Sequence, residues 1–151
     1  MVFAGIIYAW SILKVPMKTE LNMSDTDLAL NYTLTMCFFC LGGFLGSILS
    51  KKIGVTYSTI SSGILAGLGF VLTGLFASGN APLLYLTYAL MAGGGIGIVY
   101  NVIISSVNAW FPDKKGLCSG CLMMGFGASA LILGNAADAL FKSSLGWRAT
   151  Y

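Results

Sequence analysis

The sequence predicts an all-α membrane protein with about five transmembrane helices, the first of them truncated. Composition is the first ground: 57% of the 151 residues are hydrophobic, 9% are charged and the mean hydropathy is +0.86. Soluble domains run near about 45–50% apolar and about 25% charged, so eight basic and five acidic side chains could not cover a water-facing surface of this length. The second ground is where the charges fall. None occurs in the 23 residues from Leu28 to Ser50, the 60 from Ile53 to Pro112, or the 22 from Gly116 to Ala137.

A spanning helix needs roughly 20 apolar residues, so the outer two stretches each hold one span and the middle one holds two. The turn between those two is "ASGNAP", Ala77 to Pro82, where Gly79, Asn80 and Pro82 break the pattern. Helices are therefore expected at about 28–50, 54–77, 83–109 and 116–139. Continuously apolar runs exclude the short alternating strands of a barrel. The opening "MVFAGIIYAWSIL" has 13 residues before Lys14, too few to span. No basic residue precedes it and no cleavage-site pattern follows, so it reads as the second half of a spanning helix.

Connections follow in order. "NMSDTD" matches a capping box, with Ser24 and Asp27 opening the second span. In "WFPDKKG", Trp110 and Phe111 suit headgroup depth, Pro112 ends one helix, Asp113 is placed to cap the next, and Lys114 and Lys115 reach towards lipid phosphates. Trp10 is expected as an interfacial anchor. One side of the membrane then carries Lys51, Lys52, Asp113, Lys114 and Lys115, net +3. The other carries Lys14, Lys18, Glu20, Asp25, Asp27, Asp138, Lys142 and Arg148, net 0. Lysine plus arginine is four on each side, so only net charge leans the first side towards the cytoplasm. A net charge of +3 without a basic stripe gives no surface for nucleic acid.

Two near-repeats, "GIIY" at 5–8 and "GIVY" at 97–100, lie three helices apart, the plan of transporters built from three-helix repeats. With "GIIYAWSILKVP", "GGGIGIVYN" and "NAWFPDKKGLCSGCLMMGFGASA", the chain resembles the first, fourth and fifth helices of the oxalate–formate antiporter branch of the major facilitator superfamily. The resemblance implies that residues 1–151 form an incomplete N-terminal six-helix bundle, with the C-terminal bundle of a parent transporter as the absent partner. It implies transport of small organic anions by alternating access, not an enzyme, with no cofactor and a multi-pass position in the bacterial inner membrane. It also puts the "WFPDKKG" side in the cytoplasm.

The resemblance carries over to particular residues. Tyr8 and Tyr100 match the first- and fourth-helix tyrosines that hold a carboxylate, Phe126 stands where the antiporter has a tyrosine, and Ile7 stands at a glutamine. Both departures disfavour oxalate against a larger or more apolar monocarboxylate. Asn101 is a further candidate for the cavity, or for a bond to a neighbouring helix. In the loop "SILSKKIGVTYS", Lys52 and Gly54 match the superfamily pattern, whereas Ser47 replaces a glycine and Lys51 replaces the acidic residue of a cytoplasmic latch. The fourth-helix arginine of proton-coupled relatives is missing. Tyr8 and Tyr100 also suit ordinary packing aromatics. No charged residue lies within the interior of any complete span, which favours exchange or uniport over proton coupling.

Other signals are set aside. Cys37/Cys40 and Cys118/Cys121 form two CxxC pairs, but Cys37 lies 13 residues from Ser50, about 20 Å at about 1.5 Å per residue. One tetrahedral metal therefore cannot join both pairs, and no histidine is present. GxxxG spacing at Gly42/Gly46, Gly63/Gly67, Gly93/Gly97 and Gly116/Gly120 reads as packing within the chain. Two readings outside transport of organic anions are a small membrane scaffold and a thiol oxidoreductase. A third keeps the superfamily and changes the solute.

Overall fold

The computed structural model describes residues 10, 14, 18, 24–76 and 81–141, all but a few joints of it helical. The predicted first span lies outside the described residues except for Trp10, as do Tyr8, Ile7 and the turn at 77–80. Helix α1 runs Asp25–Ile53 and α2 runs Val55–Phe76. The short α3, Ala81–Leu84, leads into a π-helical stretch at Tyr85–Gly93 and then α4, Gly94–Trp110. These three form one continuous rod. A 3-10 turn, Pro112–Lys114, opens α5 at Lys115–Phe141. Each end falls within three residues of its expected position, because charge and turn residues mark both limits of each span.

Three of the helices, Asp25–Ile53, Val55–Leu75 and Pro82–Trp110, are long and apolar enough to cross a membrane. Leu41, Phe44, Leu68 and Leu75 point away from the bundle, as lipid-facing side chains do. The start of α1 is half a capping box. The Ser24 hydroxyl accepts from the Thr26 N–H at 3.3 Å, while Asp27 instead accepts from the Tyr85 hydroxyl at 3.3 Å and so ties α1 to the rod. Lys51 and Lys52 fill the last turn of α1, where cations complement its carbonyl end. Gly54 alone joins α1 to α2. Its φ of 85° is open to glycine at little cost, and its carbonyl accepts the Ser58 N–H at 3.2 Å and the Ser58 hydroxyl at 2.8 Å.

Packing against the rod explains the rest. Without water to drive helices together, membrane helices gain by close contact at small residues. A Cβ on Gly42 would meet the carbonyl of Gly94, one on Gly97 the carbonyl of Phe39, and one on Gly46 the backbone of Ile98 at 2.9 Å. Partners rise together from Thr35–Gly93 to Gly46–Ile98, so α1 and the rod run parallel. Helix α2 runs antiparallel to the rod. A Cβ on Gly69 would lie 2.6 Å from the Ala92 nitrogen, and one on Gly95 2.8 Å from the Ala66 nitrogen. The buried Thr73 hydroxyl donates to Thr87 at 3.0 Å, and Thr87 donates on to the Leu83 carbonyl at 2.9 Å.

Three expectations need correcting. Gly63/Gly67 and Gly116/Gly120 meet nothing within 4 Å, so only two of the four GxxxG pairs pack within the described chain. Asp113 sits inside the 3-10 turn, where the Lys114 N–H bonds to the Phe111 carbonyl at 3.2 Å, and not at the cap of α5. Trp10 is 5% exposed and stacks on Tyr88 at 4.6 Å. It is a core ring, because the bundle has a wide aromatic wall there to receive it.

Glycine contact predicts a contrast. Gly97→Ala is expected to destabilise the protein by about 1–3 kcal/mol through forced separation of α1 and the rod, whereas Gly67→Ala changes thermal unfolding in detergent little. Equal unfolding temperatures for the two variants would contradict the packing.

Candidate functional site

Tyr100 lies on α4, 10 residues before Trp110, or about 15 Å from the end of the rod at about 1.5 Å per residue. That is close to mid-depth in a hydrocarbon layer about 30 Å thick. Its ring is half-buried. The neighbours come from two other helices: Phe39 of α1 with ring centroids 5.3 Å away, and Phe126 of α5 at 4.9 Å. Phe39 and Phe126 are 6.2 Å apart, so the three rings close a triangle, all tilted against one another. Such offset geometries suit the ring quadrupoles. Beneath them lie Ala66 and Ile96, with Met36 and Phe70 at the margin.

Backbone contacts put these rings together. Gly97 brings the Phe39 backbone against α4, and Tyr100 follows Gly97 by three residues, so it lies on the same helix face. Phe126 is 6% exposed; its carbonyl accepts from the buried Ser129 hydroxyl at 2.6 Å. Among the described residues the Tyr100 hydroxyl takes no protein hydrogen bond. It is a donor at mid-depth beside two apolar rings, an arrangement able to hold one oxygen of an anion while excluding water.

The other sequence candidates fall elsewhere. Asn101 packs over Gly43, where its amide nitrogen would be 3.5 Å from an added Cβ. Its Oδ1 accepts from the Ser105 hydroxyl at 3.2 Å on its own helix. Tyr100 and Asn101 are consecutive and so do not share a face. Because α1 and the rod are parallel, their C-terminal ends meet at one end of the bundle. Lys51, Lys52, Gly54, Asp113, Lys114 and Lys115 all stand exposed there. Among the described residues Asp113 makes no ion pair.

Two features were missed in the sequence. Phe39 completes the ring cluster but is one of nine phenylalanines, and nothing local distinguishes it. Asn108 and Ser119 bridge α4 and α5: the Asn108 amide donates to the Ser119 hydroxyl at 3.0 Å, and that hydroxyl lies 3.1 Å from the Asn108 oxygen. Their place on either side of "WFPDKKG" was the available signal.

Comparison with known proteins gives a family model, Major Facilitator Superfamily, that matches residues 1–151. The chain is 32% identical over 128 residues to the oxalate:formate antiporter of Oxalobacter formigenes, covering 85% of this chain and 30% of that protein. It is 36% identical over 144 residues to monocarboxylate transporter 11 of Homo sapiens, covering 95% and 30% respectively. It is also 37% identical over 99 residues to apicoplast pyruvate carrier 1 of Toxoplasma gondii, covering 61% and 17%. The chain thus spans less than a third of the length of these relatives.

The Asn108–Ser119 bridge predicts a measurable coupling. A double-mutant cycle with Asn108→Ala and Ser119→Ala should give about 0.6 kcal/mol or more between α4 and α5, in the range of hydrogen bonds between membrane helices. Additive effects would mean that the bridge does not tie the two helices.

Proposed function

We propose an anion-transport function for this chain, which belongs to the Major Facilitator Superfamily: it forms part of a transporter that exchanges small organic anions across a membrane by alternating access. The observation that carries the reading is the Tyr100 hydroxyl, free of protein hydrogen bonds among the described residues and set beside Phe126 and Phe39 at mid-depth. A phenol donates to a carboxylate oxygen, and the rings around it lower the local dielectric, which strengthens that bond. The names of the relatives, an oxalate:formate antiporter, a monocarboxylate transporter and a pyruvate carrier, point to the same substrate class.

Substrate choice follows from the second ring. Phe126 has no hydroxyl to offer a second carboxylate, and its face suits a short apolar body. A monocarboxylate with an apolar substituent is therefore preferred over oxalate. Tyr8 is assigned to the same site, on the strength of its place in the echoed tetrapeptide. Asn101 plays a lesser part, since its oxygen already accepts from Ser105. A carboxylate also needs a compensating positive charge. None lies within a complete span here, so the charge is assigned to an opposing C-terminal bundle. Lys51, Lys52, Gly54, Asp113, Lys114 and Lys115 border the cytoplasmic mouth, against lipid headgroups, in a bacterial inner membrane. Exchange is preferred to proton coupling because no complete span carries a titratable carboxylate or base in its interior.

The test is uptake of labelled pyruvate, formate and oxalate into proteoliposomes that hold the whole transporter of which this chain forms part. Internal carboxylate should stimulate uptake of external pyruvate, without an imposed proton gradient. Tyr100→Phe should raise KM about tenfold, the loss of one hydrogen bond worth about 1.4 kcal/mol. Uptake no greater than in protein-free liposomes, or a Tyr100→Phe protein with unchanged kinetics, would overturn the reading.

A further inference from the structure

At the Ser24 end of the bundle, far from the lysine-rich loops, lies a half-open cavity of about 480 Å³. Ligand pockets fall in about the 300–1,000 Å³ range. Trp10, Leu28, Tyr32, Thr33, Asp25 and Lys14 line it. Its charges are unequal in kind. Asp25 is held by Lys18 at 2.7 Å, whereas Lys14 has no ion-pair partner among the described residues. Asp27, the other nearby carboxylate among the described residues, is engaged by the Tyr85 hydroxyl and does not line the cavity. Trp10 and Leu28 are buried and give the cavity an apolar wall. Tyr32 contributes a phenol, and the Thr33 hydroxyl, which donates to the Ala29 carbonyl at 3.0 Å, retains acceptor capacity only.

A second observation lies directly behind the wall. Trp10 rests on Tyr88 at 4.6 Å, and Tyr88 is 0% exposed with a hydroxyl that has no hydrogen-bond partner among the described residues. Asn31, next in sequence to Tyr32, is also 0% exposed, and among the described residues neither its amide nitrogen nor its oxygen is partnered. Unsatisfied buried groups are costly, and replacing them with apolar residues would remove that cost. The Tyr88 hydroxyl, directly behind the Trp10 wall, suits a polar partner that arrives and departs.

We propose that this cavity is a second anion site, in which Lys14 takes the carboxylate of a small monocarboxylate and Trp10 packs its apolar body. It rests on the transport reading for its place in a pathway. Trp10 is the partition. When its ring swings off Tyr88, the Tyr88 hydroxyl becomes the next donor. Tyr100 then stands 12 residues, or about 18 Å, further along the rod at about 1.5 Å per residue. The anion passes from a cation at the mouth, past a neutral donor, to the mid-depth rings.

The experiment uses the full chain in lipid nanodiscs with Trp110→Phe and Trp147→Phe, which leaves Trp10 as the reporter. Sodium pyruvate should change Trp10 fluorescence saturably, with sodium chloride at equal ionic strength as the reference. Lys14→Gln should raise the half-saturating concentration at least tenfold, and Lys14→Arg should restore it to within about threefold. An unchanged titration in Lys14→Gln, or a response that chloride reproduces, overturns the site. Pyruvate flux through proteoliposomes that hold the whole transporter separates the two proposals. Normal flux and KM in Lys14→Gln would sink the outer site and leave transport standing. A Lys14-dependent Trp10 response without any flux would support the site while sinking the transport reading.

Discussion

Helix α1 and the Ala81–Trp110 rod touch backbone to backbone, and the remaining packing is arranged around that contact. Gly42, Gly46 and Gly97 leave no room for a Cβ, and the aligned partners hold the two helices parallel. In lipid the attraction between helices comes from dispersion and polar contacts and not from expulsion of water. Each ångström of approach therefore matters more than the hydrophobicity of the residues involved. Helix α2 uses the same device from the other side at Gly69 and Gly95. The rod is thus clasped between two neighbours, while side chains such as Phe44 and Leu75 are left to the lipid.

The candidate site is a consequence of this clasp. Contact at Gly97 sets the depth of Phe39, and Phe39 and Tyr100 then meet one helical turn further on. Helix α5 closes the triangle with Phe126, held to the rod by the Asn108–Ser119 bridge near the loop. A hydroxyl at mid-depth is positioned by glycines it never touches. The same clasp buries Asn31 and Tyr88 at the other end, where the widened π-helical stretch turns Tyr88 inward.

Much of the fold was legible in the sequence, since membrane spans announce themselves by length and charge. Ser24 and Pro112 marked their boundaries by cap and lost N–H. Tyr100 and Phe126 were legible through the family pattern, and they do lie ring to ring. Composition could not say which face of a helix is buried. That is why Trp10 read as an anchor, why all four GxxxG pairs read as packed, and why Phe39 went unnoticed. An apolar residue looks the same whether it faces lipid or protein, so the hydrophobic pattern that identifies a soluble core has no counterpart here. Asp113 misled for a different reason: a residue after proline suits a cap or a 3-10 turn equally, and the chain took the turn.

The central claim is that a small carboxylate meets the Tyr100 ring. Fluorine NMR of the chain with 3-fluorotyrosine in nanodiscs tests it most directly, with the Tyr100 resonance assigned through its loss in Tyr100→Phe. The account predicts that pyruvate shifts the Tyr100 resonance saturably, while Tyr57, exposed near the Gly54 joint, stays in place. A Tyr100 resonance that does not move at saturating pyruvate would contradict it.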